Sequence, residues 1–171
     1  MFDIRKAIAA DAEKLPEIER SAGAAFLEDL DLKWIADDDV QSVERHLELI
    51  DWGAAWVATD ASGEPVGFLS AEVTANTLHI WELAVRNDLQ GRGMGRALIE
   101  RARLWAVDQG IGVVTLTTFR GVPWNEPFYR SIGFRTLGSH EFTPFLACTL
   151  AAEISAGLPA EKRCAMVLAI G

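Results

Sequence analysis

The stretch Leu83 Ala84 Val85 Arg86 Asn87 Asp88 Leu89 Gln90 Gly91 Arg92 Gly93 Met94 Gly95 sets the tightest limit on what this chain can fold into. An apolar strand runs through a short polar link into a glycine-rich turn, and the pattern predicts a helix from Arg96 to about Asp108. A helix start presents unpaired backbone N–H groups and the positive end of the helix dipole, so a pyrophosphate placed there meets several donors at once. Glycines at 91, 93 and 95 let the backbone approach the oxygens and take φ > 0 where a nest of N–H groups requires it. A dinucleotide loop of the G-x-G-x-x-G kind is excluded, because Arg96 stands at the third glycine and Gly112 to Thr118, the next strand, holds no ribose-binding acid. A Walker loop is excluded by the lack of Gly-Lys-Ser/Thr. What remains is Gln90-x-x-Gly93-x-Gly95.

The rest of the chain reads as alternating strands and helices around this loop. Phe2 to Ala7 predicts a first strand, and Asp11 reads as the N-cap of a helix with Leu15, Ile18 and Ala22 on one face. A loop from Phe26 to Asp38 carries apolar anchors, and a second helix from about Asp39 to Ile50, capped by Asp39, aligns Val43, Leu47 and Ile50. Strands follow at Ala54–Thr59, Val66–Val73 and Leu78–Val85, the first two joined by a turn-rich link. In the crossover helix, Met94, Leu98, Ala102 and Trp105 share a core-facing stripe, and Gly110 ends it. Its parallel partner strand is Val113 to Phe119. A strand at Phe134–Leu137, a helix from Thr143 and Pro144 to about Ala156, and a last strand at Arg163–Ile170 complete the layout. No linker, repeat or low-complexity segment interrupts it, so 1–171 is expected to be a single domain.

Composition narrows the function. Of 171 residues half are hydrophobic, which suits a packed core, and no apolar run approaches the roughly 20 residues of a bilayer span. With no signal-peptide pattern at the N-terminus, the expectation is a soluble cytoplasmic protein that binds no membrane. A formal charge of −9 argues against a nucleic-acid surface and allows a cationic substrate. Acids at Glu28, Asp29, Asp31 and Asp37–Asp39 read either as substrate steering or as a solvated face. Cys148 and Cys164 lack metal-ligand spacing and are expected to be small buried side chains, so no metal is expected.

Gln/Arg-x-x-Gly-x-Gly/Ala after a hydrophobic strand resembles the acetyl-CoA signature of the GNAT superfamily of N-acetyltransferases. The segment Asn125 Glu126 Pro127 Phe128 Tyr129 Arg130 Ser131 Ile132 Gly133 Phe134 resembles the family's tyrosine-bearing helix followed by Gly-Phe. The resemblance covers the whole chain and implies the GNAT fold, an α/β arrangement with a central, mixed, mostly antiparallel sheet flanked by helices. It also implies acetyl-CoA as cofactor, coenzyme A as product, and direct transfer of the acetyl group to a primary amine in a ternary complex. An aromatic and acidic pocket would suit a small-molecule amine.

Four chemical needs follow, and residues are available for each. Gln90, Gly91, Arg92, Gly93, Met94, Gly95 and Arg96 would hold the pyrophosphate. Leu83, Ala84 and Val85 would meet the cofactor through their main chain, with an N–H near Leu83 or Ala84 stabilising the thioester oxygen. Tyr129 stands where the resemblance places an acid for the leaving thiolate; the alternative is a tyrosine packed on Phe128 and Phe134. For deprotonating the amine, Glu82 and His79 compete, and period-two alternation puts them on opposite faces unless a bulge intervenes. The family's asparagine seven residues before the tyrosine is Val122 here; Asn125, with Phe128 beside it, reads either as a contact to the cofactor arm or as an N-cap. His46 and His140 read as surface or loop residues, and Trp34, Trp81 and Trp124 fall near the expected cleft. The helix from Thr143 reads as a cover over the acceptor site, a homodimer contact or one more packed helix. A loop of this kind reports phosphate binding rather than turnover, so a catalytically inactive acyl-CoA sensor is the alternative function.

Overall fold

The computed structural model describes residues 1–170 of the chain. In chain order its elements are β1 (Asp3–Lys6), α1 (Leu15–Gly23), α2 (Val43–Asp51), β2 (Ala55–Thr59), β3 (Pro65–Thr74), β4 (Thr77–Val85), α3 (Met94–Asp108), β5 (Val113–Phe119), α4 (Glu126–Ser131), β6 (Arg135–Thr136), α5 (Pro144–Ser155) and β7 (Arg163–Ala169). The strands form one mixed sheet flanked by helices, in the order β1-β2-β3-β4-β5-β7-β6. The order of elements is the one the sequence predicts, with ends shifted by a few residues. Two compact units divide the chain, 1–72 with 81–105 and 73–80 with 106 onward, so β4 passes from one to the other between Ile80 and Trp81. Among the described residues no helix is long and apolar enough to cross a membrane.

In the first unit β1 and β2 pair antiparallel from Asp3↔Thr59 to Lys6↔Trp56, and β2 pairs antiparallel with β3. The turn between β2 and β3 is held by the Asp60 carboxylate, which accepts from the N–H groups of Ser62 and Glu64, with Gly63 at φ +88°. Leu15 and Ile18 of α1 pack with Val57, Phe68 and Ala84, and Ile50 of α2 leans on this cluster. Full burial of side chains such as Leu15, Ile18, Val57 and Phe68 contributes about 1.5–3 kcal/mol each.

Both expected caps in this unit are corrected. Asp11 lies in a short 3-10 turn, where its carboxylate accepts from the Arg5 guanidinium at 2.7 and 2.9 Å and from the Ile8 N–H at 2.8 Å. With that carboxylate engaged, α1 starts at Leu15 with Pro16 in its first turn. The second helix is capped by Ser42, whose hydroxyl accepts from the Arg45 N–H at 3.1 Å, while Asp39 donates its own N–H to the Asp38 carboxylate. The expected loop before it contains two 3-10 turns, Ala24–Glu28 and Lys33–Asp37. The phase of α2 also differs: His46 and Leu49 are buried, and Leu47 is 40% exposed. His46 is therefore a core residue, set edge-on against Phe68 with ring centroids 5.1 Å apart. An imidazole can take this place because it gives up its charge at little cost near neutral pH.

In the second unit β5 pairs antiparallel with β7 along its whole length, β6 adds to β7, and Thr77–Ile80 of β4 run parallel to Val113–Leu116. Leu146 and Leu150 of α5 pack on Leu137 and Ala165. As the sequence predicts, Thr143 caps this helix, its hydroxyl accepting from the Leu146 N–H at 3.2 Å. Arg163 is 9% exposed; it donates to Glu153 at 2.9 Å and to Thr117 Oγ1 at 3.1 Å and lies over the Phe119 ring. Cys164 is buried, and desolvation pushes its thiol up to about 11. Cys148, expected in apolar surroundings, is exposed, because Leu146, Thr149 and Leu150 form the inward face of α5.

Candidate functional site

The glycine-rich loop begins where β4 ends. A 3-10 turn at Asn87–Leu89 follows, and α3 then starts at Met94, two residues earlier than the sequence suggests. Gly91 and Gly93 have φ of +74° and +85°, in the left-handed region that side-chain-bearing residues avoid. A Cβ at either would meet nothing within 4 Å, so glycine is required there by the backbone angle, and the space in front of the loop is open. The Ala97 N–H reaches back to the Gly93 carbonyl at 3.0 Å. The amides of Met94 and Gly95 come before it, in the first turn, where a helix offers its N–H groups no intrahelical acceptors. Gln90 ties the loop down, its side-chain amide donating to the Val85 carbonyl at 3.0 Å. Arg92 donates to the Asp88 carbonyl and the Asn87 N–H donates to Ser21 Oγ. Leu89, Arg92 and Met94 also line a surface hollow with Phe2 and Asp60. An open cradle of left-handed glycines at a helix start has the shape and donor set a pyrophosphate needs.

Upstream, β4 departs from strict alternation. The Trp81 indole N–H donates to the Glu72 carboxylate at 2.9 Å, and Arg45 of α2 lies 5.7 Å from that ring. Ala84 packs with Phe68, which shares a face of β3 with Glu72. Residues 81 and 84 of a regular strand would point to opposite faces, so an irregularity lies between them. Glu82 and Leu83 sit in it, both half-buried, and the Leu83 N–H donates to Glu82 Oε1 at 3.2 Å. One of the two amides expected to serve the thioester is thus aimed at one of the two candidate bases.

Tyr129, Asn125 and His79 belong to the second unit. Tyr129 is half-buried on α4, its ring edge-to-face with Phe128 at 5.2 Å and Phe134 at 5.7 Å. Asn125 precedes α4, but its side chain makes no cap; its Oδ1 accepts from the Thr118 hydroxyl at 2.7 Å. His79 is fully buried, with Nδ1 2.9 Å from Thr115 Oγ1 and its ring edge-on to Phe145. Burial lowers its pKa to about 4, which leaves the imidazole neutral at neutral pH. Thr115 and Thr118 stand an odd number apart on β5, so His79 and Asn125 are held on opposite faces of that strand. His140 is exposed, as expected, and Trp34 is 39% exposed. Among the described residues no group of three or more His, Cys, Asp or Glu side chains is arranged to hold a metal ion.

The sequence profile of the Acetyltransferase (GNAT) domain matches residues 51–136, from the end of α2 through β6. The chain belongs to the GNAT acetyltransferase family. Solved structures agree on the fold of this GNAT chain. It is similar to the PaiA N-acetyltransferase from Thermoplasma acidophilum, solved with coenzyme A, at 18% identity and TM-score 0.72, covering 99% of each chain. A Mycobacterium tuberculosis protein solved with coenzyme A matches at 19% identity and TM-score 0.72, again over 99% of each chain. The ribosomal-protein-S18-alanine N-acetyltransferase from Escherichia coli matches at 19% identity and TM-score 0.70, over 100% of this chain and 95% of that one. The named acceptors of such neighbours differ, so the likeness fixes the fold and leaves the acceptor to the residues of this chain.

Proposed function

We propose that residues 1–171 act as a single acetyl-CoA-dependent N-acetyltransferase domain that acetylates a primary amine of a small molecule by direct attack in a ternary complex. The observation that carries this reading is the loop, with left-handed Gly91 and Gly93, Gln90 tied to Val85, and the open first turn of α3. When bound, acetyl-CoA supplies the activated acetyl group and a thiolate that can leave. The amides of Gly91 to Arg96 hold the pyrophosphate. The Leu83 N–H serves the thioester oxygen, which takes the place of the Glu82 carboxylate on that amide. A preorganised donor of this kind is typically worth about 2.7–4 kcal/mol. Once displaced, Glu82 accepts the proton of the incoming amine. Tyr129 holds the proton that the leaving sulfur takes up. Buried and bonded to Thr115, His79 suits a positioning role better than that of a base, so Glu82 is the assigned base.

Calorimetric titration with acetyl-CoA, followed by free-thiol release on adding amines, tests this directly. Binding followed by amine-dependent release is expected, with Tyr129→Phe lowering kcat by roughly 100-fold or more at unchanged acetyl-CoA affinity. Binding without release to any small amine, together with acetylation of a peptide N-terminus, would overturn the small-molecule assignment. Absence of binding would overturn the whole reading.

A further inference from the structure

The irregularity in β4 stands between two anchors in the first unit. Downstream, Ala84 is buried and packs with Phe68 in the cluster under α1. Upstream, the Trp81 indole N–H donates to Glu72 Oε2 at 2.9 Å. Phe68 and Glu72 share a face of β3, so both anchors draw β4 toward that one face. A regular strand returns to the same face at every second residue, whereas Trp81 and Ala84 are separated by an odd step. The extra residue is absorbed by Glu82 and Leu83, where the Leu83 N–H donates to Glu82 Oε1 at 3.2 Å.

Ala84 is fixed by apolar packing, and Trp81 by a polar tie with its own support. Arg45 of α2 brings Nη2 to 3.9 Å from Glu72 Oε2 and Cζ to 5.7 Å from the Trp81 ring. Its Nη1 pairs with Glu48 at 3.1 Å, and the Trp52 ring centre lies 5.2 Å from its Cζ. Helix α2, strand β3 and strand β4 therefore meet at the Glu72 carboxylate. Arg45, Glu72 and Trp81 are all half-buried, and a hydrogen bond to a carboxylate is roughly twice as strong as one between neutral groups. Without this bond β4 can recover its two-residue period by turning Trp81 over, which carries the Leu83 amide off Glu82.

We propose that Glu72 is a positioning residue for acyl transfer, acting through the Trp81 indole to hold the irregularity that aligns the Leu83 amide and Glu82. Under the acetyltransferase reading, on which this role rests, that amide serves the thioester oxygen and Glu82 takes the proton of the amine. Misplacing reacting groups by about 1 Å can cost about 100-fold in rate, so a tie outside the reacting atoms has a large effect on turnover.

Three variants of the full-length protein test this role. Glu72→Leu removes the acceptor, Glu72→Gln keeps one for the indole, and Trp81→Phe removes the donor while keeping a ring. Without cofactor, the Leu83 amide resonance is followed by NMR; with acetyl-CoA, thiol release is measured with the most active amine of a primary-amine panel. The resonance should be displaced in Glu72→Leu and restored in Glu72→Gln. In Glu72→Leu and in Trp81→Phe kcat should fall roughly tenfold to hundredfold, with acetyl-CoA affinity within about twofold of wild type. Combining the two should bring no further loss, because both break the same bond, and Glu72→Gln should stay within about threefold of wild type. A Leu83 resonance unmoved by Glu72→Leu, or losses that add in the double variant, would overturn the positioning role. Equal thiol release in all variants also overturns it while the acetyltransferase reading stands. A displaced resonance restored by glutamine, in a protein that releases no thiol with any amine, upholds the tie between Glu72 and β4 and overturns that reading.

Discussion

Gly93→Ala separates the cost of backbone strain from the cost of lost binding. At φ +85° an alanine pays roughly 1–2 kcal/mol for the left-handed conformation, and its Cβ meets no other atom within 4 Å. For a chain of this length about 1 kcal/mol lowers Tm by roughly 2–4 °C, so the free protein should melt lower by about 2–8 °C. Gly63→Ala is the matched control. Gly63 has φ +88°, is equally open, and lies in the β2–β3 turn, so its strain should cost the same. The two variants diverge once acetyl-CoA is added. At residue 93 the new methyl stands in the cradle, and losing even one charge-assisted N–H to phosphate bond costs about 1.5–3 kcal/mol, a roughly tenfold to hundredfold rise in Kd. Gly63→Ala should leave Kd unchanged. Differential scanning calorimetry gives the first quantity and isothermal titration the second. Equal Kd values for the two variants would refute the assignment of this loop to the pyrophosphate, whatever their melting temperatures.

Two further outcomes concern stability. Raised from 4.5 to about 7, Glu19 binds its proton more tightly in the folded state, so between those values its contribution falls as pH rises. Lowered from 6.5 to about 4, His46 acts in the opposite sense and adds stability as pH rises across that window. The two offset each other, so Glu19→Gln should steepen the rise in unfolding free energy between pH 4.5 and 6.5 by up to about 1.4 kcal/mol per pH unit; urea denaturation across that range that finds an unchanged slope contradicts the raised carboxyl. Arg163→Met leaves Glu153 largely buried without its cation and should cost about 3–5 kcal/mol, whereas adding Glu153→Leu should recover much of it; equal losses in the single and double variants would mean that an unpaired Glu153 charge is not the source of the cost.

What the sequence made legible were features whose chemistry is local. Thr143 followed by Pro144 is a complete helix start in two residues, and the structure uses both. The strand Val113–Phe119 was readable to the residue because a run of β-branched side chains closes against glycine on one side and arginine on the other. The glycine loop was readable because positive φ demands a particular residue type. Where several residues could do the same job, the sequence did not decide between them. Asp11 and Asp39 are good caps in isolation, yet Arg5 and Ile8 claim the first and Ser42 stands closer to the second helix. The phase of α2 turned on a histidine, which counts as polar in any periodicity and here lies inside. Asn125 stood between two readings; the cap reading fails because its Oδ1 accepts from Thr118, a partner seven residues away that no spacing rule announces.

The two cysteines differ in a way that can be put to use. Cys148 is exposed on α5, while Cys164 is buried in β7 with its thiol pushed up to about 11. A maleimide should therefore consume one equivalent promptly and a second only when β7 comes away from β5. The delay between the two reports how often that edge of the sheet opens, without any label being engineered into the chain.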